Sequence, residues 1–354
     1  MRKTTKQENT KPILGITMGD PAGIGPEVIV KALAQRDIRR LCRPIVIGSL
    51  PVMEQTVRFL GLHLRLVAIH DHTSPWSTPA DVPVLDPLER PLGKFQQGMA
   101  AENTGAASVA FIKTAVRLAQ DCCIDGIVTG PINKEAINLA GCRCPGHTEL
   151  LADLTNSKES GMMILGGPLK IMFATTHVAI RDLSQTLSTK RVEGAIRLAH
   201  RGMHEYFDVT NPRIGVAALN PHAGESGLFG DEERTTILPA VHRAQRAGIE
   251  AGDPLPADTL FVKAARGEYD SVVAMYHDQG LIPLKLMAFG RCVNLTIGLP
   301  IIRTSVDHGT AYDIVGKGLA DPGSLIEAIK LASRLARKGD KLHAQRKRSR
   351  VIVD

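Results

Sequence analysis

Short, almost wholly apolar runs punctuate this chain, separated by segments with helical spacing. Ile13 to Thr17, Pro44 to Ile47 and Gly126 to Thr129 are such runs in the first half. Leu169 to Ala174, Ile214 to Leu219 and Ser271 to Tyr276 follow in the second. Strand and helix patterns in alternation predict a parallel sheet with helices on both faces, so the expected fold class is α/β. At 354 residues the chain suits two domains or one large unit. The C-terminal helix expected from about Pro322 to Arg337 is placed to return to the first domain. The expected division is therefore a disordered lead over 1–12, a discontinuous first domain of 13–140 plus 305–354, and a second domain of 141–304. Residues 71–93, rich in Pro, Ser, Thr and Asp, read as an irregular surface excursion.

The three later runs share a second property: each leads to a histidine. They continue into Thr175-Thr176-His177, Asn220-Pro221-His222 and His277. In open α/β sheets, ligands collect at the carboxyl ends of parallel strands. Three imidazoles delivered to that edge could meet at one metal ion with an open position, the arrangement of catalytic zinc.

Aromatic residues are only 4% of the chain, so the core rests on Val, Ile, Leu and Ala. The formal charge of +7 is concentrated at the ends, in Met1 to Lys6 and Arg346 to Arg350. Those clusters read as solvated termini rather than nucleic-acid contacts, and a cleft for phosphate or carboxylate accounts for part of the rest. Six cysteines show no secreted disulfide pattern, which makes the cytoplasm the expected location. Cys142-Arg143-Cys144 with His147 falls short of the usual zinc ligand count. No apolar run reaches the ~20 residues of a membrane helix, and the basic start carries no cleavable apolar segment.

Several polar segments flank the runs. The loop Gly19 to Gly25 lies between a strand and a helix but is not a G-x-G-x-x-G fingerprint, and it reads as a tight structural turn. Gly146-His147-Thr148-Glu149 precedes an apolar helix. Either His147 or Thr148 caps that helix, or the segment binds an anion. His222 to Glu233 holds three glycines that let a backbone approach a ligand. Lys285, Asn294 and Arg303 together form a plausible phosphate cradle. Val306 to Ile314 is a polar loop opening a helix.

Five of these strings together resemble the 4-hydroxythreonine-4-phosphate dehydrogenase (PdxA) family. They are Met18-Gly19-Asp20-Pro21-Ala22-Gly23-Ile24-Gly25-Pro26-Glu27, Pro145 to Glu149, Asn220 to Glu225, Tyr276 to Gly280 and Arg303 to Ala311. The resemblance runs from about Ile13 to Leu335. It implies two α/β/α domains with a cleft between them, like isocitrate and isopropylmalate dehydrogenases and not a Rossmann fold. It also implies NAD-dependent oxidative decarboxylation, with NADP the other cofactor to consider, in a homodimer with shared active sites. The second domain would carry the metal ligands and the dimer interface. A divalent metal would be held by His177, His222 and His277, the last from the neighbouring subunit. Zinc is the first choice, and magnesium, cobalt and manganese are the others. Substrate contacts correspond to His147, Thr148, Lys285, Asn294 and Arg303. Asp258 and Asp278 support the site, and with Lys285 they are the catalytic candidates. Gly224, Glu225, Gly227, His308, Gly309, Thr310, Ala311 and Asp313 are the expected cofactor contacts, by likeness of His308 to Ile314 to an adenine-side loop.

The expected substrate is a small phosphorylated hydroxy acid, either 4-hydroxythreonine 4-phosphate or, in a related branch, 4-phospho-D-threonate or 4-phospho-D-erythronate. Glu225 to Glu233, His147 to Ala152, Leu187-Ser188-Thr189 and Ile282 to Lys285 look closer to that second branch. A dihydrodiol-dicarboxylate branch is disfavoured by Asn294, Arg303 and Gly146 to Glu149. An acyltransferase acting on phosphate esters and a non-catalytic ligand sensor are the remote alternatives. Neither nucleic acid nor membrane is an expected partner.

Overall fold

The computed structural model describes residues 11–71, 81–144 and 146–350; the expected disordered lead falls outside these but for its last two residues. In chain order the main elements are β1 (Ile13–Thr17), α1 (Gly25–Ala34), α2 (Arg36–Leu41), β2 (Arg43–Ile47), α3 (Leu50–Phe59), β3 (Arg65–Ile69), β4 (Asp81–Leu85), α4 (Glu102–Gln120), β5 (Gly126–Thr129) and α5 (Lys134–Leu139). Then come α6 (His147–Leu154), β6 (Gly161–Gly166), β7 (Leu169–Phe173), α7 (Leu183–Thr186), α8 (Thr189–Phe207), β8 (Ile214–Val216), α9 (Leu238–Arg246), α10 (Ala257–Ala265), β9 (Ser271–Ala274), α11 (His277–Ala288), β10 (Val293–Ile297), β11 (Arg303–Val306) and α12 (Gly323–Arg350).

The chain divides into two compact units. The first is 1–143 with 301–303 and 309–354; the second is 144–300 with 304–308. In the first unit the strands run β3-β4-β2-β1-β5, all parallel. Leu14 and Ile16 of β1, Ile45 and Ile47 of β2 and Ile127 of β5 are fully buried, as strands covered on both faces require. Helix α4 packs with α5, and α12 packs with α1 and α2; both α4 and α12 lie on β1 and β5. Pro26 in the first turn of α1 and Asn133 capping α5 by accepting from the Ala136 N–H at 2.9 Å fix two helix starts.

The supposed surface excursion over 71–93 contains β4, whose residues are all buried. Its five residues carry a proline, which normally argues against a central strand. The chain resolves that conflict by register. Pairing with β2 begins at Val84, after Pro83 with its missing N–H.

The second unit is not the purely parallel sheet that the alternation predicts. Its order is β11-β10-β6-β7-β9-β8, and β10 and β6 run antiparallel to their neighbours. The cause is local. Gly167 and Pro168 form a two-residue hairpin between the paired Gly166 and Leu169, and Gly167 supplies the positive φ (54°). Only β7, β9 and β8 keep the parallel arrangement. Helices α10 and α11 bury Leu260, Phe261, Leu281 and Leu284 against Ile171, Phe173, Val272 and Ala274. Helix α8 covers the same strands with Val192, Ile196 and Met203 inward.

Candidate active site

The three parallel strands of the second unit are consecutive in the sheet, β7 beside β9 beside β8, so their carboxyl ends lie on one edge. His177, His222 and His277 all leave from that edge. The ends are tied together by side chains the sequence did not flag. Thr175 donates to the Met275 carbonyl from its N–H at 3.2 Å and from its hydroxyl at 2.7 Å, joining the β7 and β9 exits. Gln279 accepts from the Met275 N–H at 2.7 Å and donates to the Ala218 carbonyl at 2.6 Å, joining the β9 and β8 exits. A buried glutamine five residues past a strand carries no sequence signal by itself. Its role appears only once both strand ends are placed.

The rings of His177 and His277 are neighbours, with centroids 5.8 Å apart and planes at 40°. His277 opens α11, and its Nδ1 lies 2.6 Å from Asp278 Oδ1. This contact engages Nδ1 and leaves Nε2 as the ring's other ligand atom. Asp258 and Asp278 both line an open recess of about 700 Å³, together with Asn220, His222, Tyr276 and Ile282. Asp258 sits in the first turn of α10, where its Oδ1 accepts from the Thr259 N–H at 2.9 Å.

His222 stands on unusual backbone. Five consecutive residues, His222, Ala223, Gly224, Glu225 and Ser226, have φ of 52°, 54°, 79°, 40° and 58°. This is a left-handed turn, and four of its members are not glycine. Each costs roughly 1–2 kcal/mol, or about 4–8 kcal/mol in sum. Strain of this size persists only where surrounding contacts impose it. The glycine-rich reading of this segment anticipates close backbone approach but not a left-handed path for its other residues. Gly224 is buried, and a Cβ there would lie 2.7 Å from Glu233 Oε2; at Gly227 a Cβ would meet open space.

Among the described residues, no group of three His, Cys, Asp or Glu side chains within the chain is arranged to hold a metal. One copy therefore brings His177 and His277 together without completing a three-histidine site through His222. The donor set still fits such an ion in kind. Imidazoles are ligands for zinc and related divalent metals, and the His277–Asp278 pair orients a ring as metal-binding histidines require.

The expected phosphate contacts are distributed as follows. His147 and Thr148 are the first two residues of α6, and the helix is capped by extended Gly146 with no side-chain cap bond. The capping reading of His147 and Thr148 is thereby overturned, because both already lie within the helix. Lys285, half-buried on α11, is within electrostatic reach of the Cys292 thiol just before β10, as is Asp307. Asn294 on β10 has a buried side-chain oxygen with no hydrogen-bond partner among the described residues. In the first unit, Arg303 is 1% exposed and donates from Nη2 to Thr129 Oγ1 at 2.7 Å.

The loop after His308 belongs to the first unit from Gly309 onward. Ala311 is left-handed (φ 42°), Thr310 is buried with its carbonyl accepting from the Ile24 N–H, and a Cβ at Gly309 would meet nothing within 4 Å. Tyr312 donates its hydroxyl to Asp20 Oδ2 at 2.6 Å, and the Ala22 N–H donates to Oδ1 at 2.8 Å. Burial pushes the Asp20 carboxyl up from its ordinary range, and burial beside Asp20 pushes the Tyr312 hydroxyl up. The Gly19–Gly25 loop thus uses its carboxylate internally, as a structural turn does.

Fold and site define an α/β protein with a histidine-bearing edge at the ends of three parallel strands. Comparison with known proteins narrows the class. Residues 40–332 match the family model described as pyridoxal phosphate biosynthetic protein PdxA. A 4-hydroxythreonine-4-phosphate dehydrogenase of Geobacter metallireducens is 46% identical over 329 residues, 93% of this chain and 97% of that protein. A D-threonate 4-phosphate dehydrogenase of Cupriavidus necator is 45% identical, covering 92% and 97%. The crystal structure of a 4-hydroxythreonine-4-phosphate dehydrogenase from Klebsiella pneumoniae superposes with a TM-score of 0.83 at 41% identity, covering 92% of this chain and 99% of that one. A terephthalate 1,2-cis-dihydrodiol dehydrogenase from Burkholderia xenovorans reaches 0.60 at 32%, covering 91% and 98%. The chain belongs to the PdxA family, and it is an oxidoreductase of the dehydrogenase kind. No described helix is long and apolar enough to cross a membrane.

Proposed function

We propose that this protein oxidises and decarboxylates a 4-phosphorylated 3-hydroxy acid, with a nicotinamide cofactor and a divalent metal, at a site completed by a second copy of the chain. The observation that carries the reading is the set of hydrogen bonds through Thr175, Met275 and Gln279, which holds three histidine-bearing strand exits side by side. His177, His222 and His277 are the residues that would hold the metal, an imidazole of the second copy completing the set that one chain leaves unfinished. When bound, the divalent ion supplies Lewis acidity toward the hydroxyl being oxidised, and NAD or NADP supplies the hydride acceptor. Zinc suits these imidazole donors first, ahead of cobalt, manganese and magnesium.

The protein's own residues do the rest. In the second unit, Lys285 neutralises the substrate phosphate, Asn294 and the His147–Thr148 start of α6 add directional contacts, and these four set the distance from phosphate to reacting carbon. Asp278 holds the His277 ring at Nδ1, which leaves Asp258 or Lys285 to take the hydroxyl proton. In the second unit, Gly224, Glu225 and Gly227 would line the nicotinamide cofactor; open space at Gly227 supports close approach there. The second copy has a surface to dock on. Leu286 and Phe289, each 82% exposed, form with Ile282 an apolar stripe on and just beyond α11, beside the recess. The same stripe supports reading the second domain, 141–304, as the carrier of the dimer interface.

4-Hydroxythreonine 4-phosphate is the first substrate reading, and 4-phospho-D-threonate or 4-phospho-D-erythronate the second. Relatives bearing either activity in their names stand at nearly the same identity, 46% and 45%. NADH absorbance with each compound decides between them. The reading fails if none of the three, with metal present, yields NADH.

A further inference from the structure

We propose that Glu233 is the positioning residue for His222: its buried carboxylate holds the left-handed turn from which that imidazole projects. The inference rests on His222 being a site residue and goes beyond it, because no assigned contact explains how the strained turn is kept.

Four non-glycine residues in a left-handed path do not support themselves. The bonds that fix the entry to the turn converge on one carboxylate. Glu233 Oε1 accepts from the Leu219 N–H at 2.8 Å and the Asn220 N–H at 2.7 Å, and Oε2 accepts from Asn220 Nδ2 at 3.0 Å. The neighbouring Glu232 takes the same amide at 2.7 Å and a hydroxyl bond from Ser184 at 2.6 Å, which anchors the clamp to α7. Glu233 is 6% exposed, and among the described residues no ion pair engages it. A buried carboxylate without a cation is tolerated only when hydrogen bonds satisfy it, and here those bonds come from the segment leading into the turn.

Two glycines record how closely the parts fit. A Cβ at Gly224 would stand 2.7 Å from Glu233 Oε2, and one at Gly230 would stand 2.5 Å from Asn220 Nδ2. Glu233 also opens a single π-helical turn, Glu233–Ile237, ahead of α9. Such turns insert one extra residue and rotate what precedes them, and they recur at functional sites. The Phe229 ring neighbours that of His222, with centroids 6.3 Å apart and planes at 41°.

The test uses the full-length protein stripped of metal, as wild type, Glu233→Gln, Glu233→Ala, and Glu233→Ala combined with Ala223→Gly. Amide hydrogen exchange and cobalt(II) titration, followed by visible absorption, are both read. In Glu233→Ala, protection of the Leu219 and Asn220 amides falls at least about tenfold while β7 and β9 keep theirs, and cobalt affinity falls by about 10–100-fold. Glu233→Gln, which keeps a carbonyl acceptor and the fold, is intermediate. Adding Ala223→Gly removes the left-handed cost at one residue and recovers part of the cobalt affinity. A carboxylate that merely stabilised the unit would lower stability globally and leave cobalt binding by the folded fraction unchanged; that result overturns the proposal. Wild-type protein that takes up no cobalt would end the metal reading, and the exchange data would still decide whether Glu233 holds the turn.

Discussion

Replacing Gln279 with Leu removes the bracket between the β8 and β9 exits while nearly conserving volume. Two buried main-chain groups lose their partners, the Met275 N–H and the Ala218 carbonyl, now bonded at 2.7 and 2.6 Å. Each stranded group costs about 1–3 kcal/mol. The leucine recovers about 1–2 kcal/mol by burying apolar rather than amide surface. Taken at the midpoints of these ranges, the net loss is about 2–3 kcal/mol. Urea unfolding followed by far-ultraviolet circular dichroism measures it as a lower midpoint with unchanged slope. The functional cost is larger than the stability cost, because the variant frees the His222-bearing exit from the His277-bearing one. Turnover by the folded protein should drop at least about tenfold. A stability loss below about 0.5 kcal/mol, or full turnover, would refute the view that this side chain registers the edge.

Asp20→Asn should stabilise the protein at neutral pH. Burial raises the Asp20 carboxyl, so its ionised form costs stability above the raised value, and that cost vanishes once pH falls below the ordinary carboxylate range. The asparagine keeps an acceptor for Tyr312 but turns its amide N–H toward the Ala22 N–H, which offsets part of the gain; the gain measured by denaturation should fade as the solution is acidified through that window. Burial pushes the Cys42 and Cys292 thiols up to about 12. Iodoacetamide at pH ~8 should therefore label exposed Cys122 and spare both buried thiols, as peptide mass spectrometry reads. Asn133→Ala deletes the cap of α5 and should cost about 1 kcal/mol in the same unfolding assay.

Much of this was legible in the chain because some signals are local. Continuous apolar runs located β1, β2, β5, β7, β8 and β9 to within a few residues, since strands covered on both faces need no polar alternation. Histidines just past three of them marked the edge where ligands gather. What stayed hidden depends on pairing. β4 lay inside a Pro- and Asp-bordered stretch, and only its register against β2 makes Pro83 tolerable. The antiparallel strands of the second unit follow from the turn at Gly167, a two-residue signal that the alternation of longer segments masked. Gln279, Thr175 and Glu233 were invisible for one shared reason: each acts on main-chain groups distant in sequence. Residue type alone does not reveal that use. The left-handed turn at His222 was likewise hidden, because Ala, Glu and Ser do not ordinarily adopt it.

Complementation between two inactive variants tests the shared histidine site most directly. His222→Ala and His277→Ala each remove one imidazole from every site. If a site takes His277, with its neighbour His177, from one copy and His222 from the partner, a mixed dimer of the two variants has one site lacking both and one site intact. NADH formation should then return on mixing, to about half the wild-type rate per mixed dimer. Continued inactivity of verified mixed dimers would show that the imidazoles act within single chains and would contradict the account.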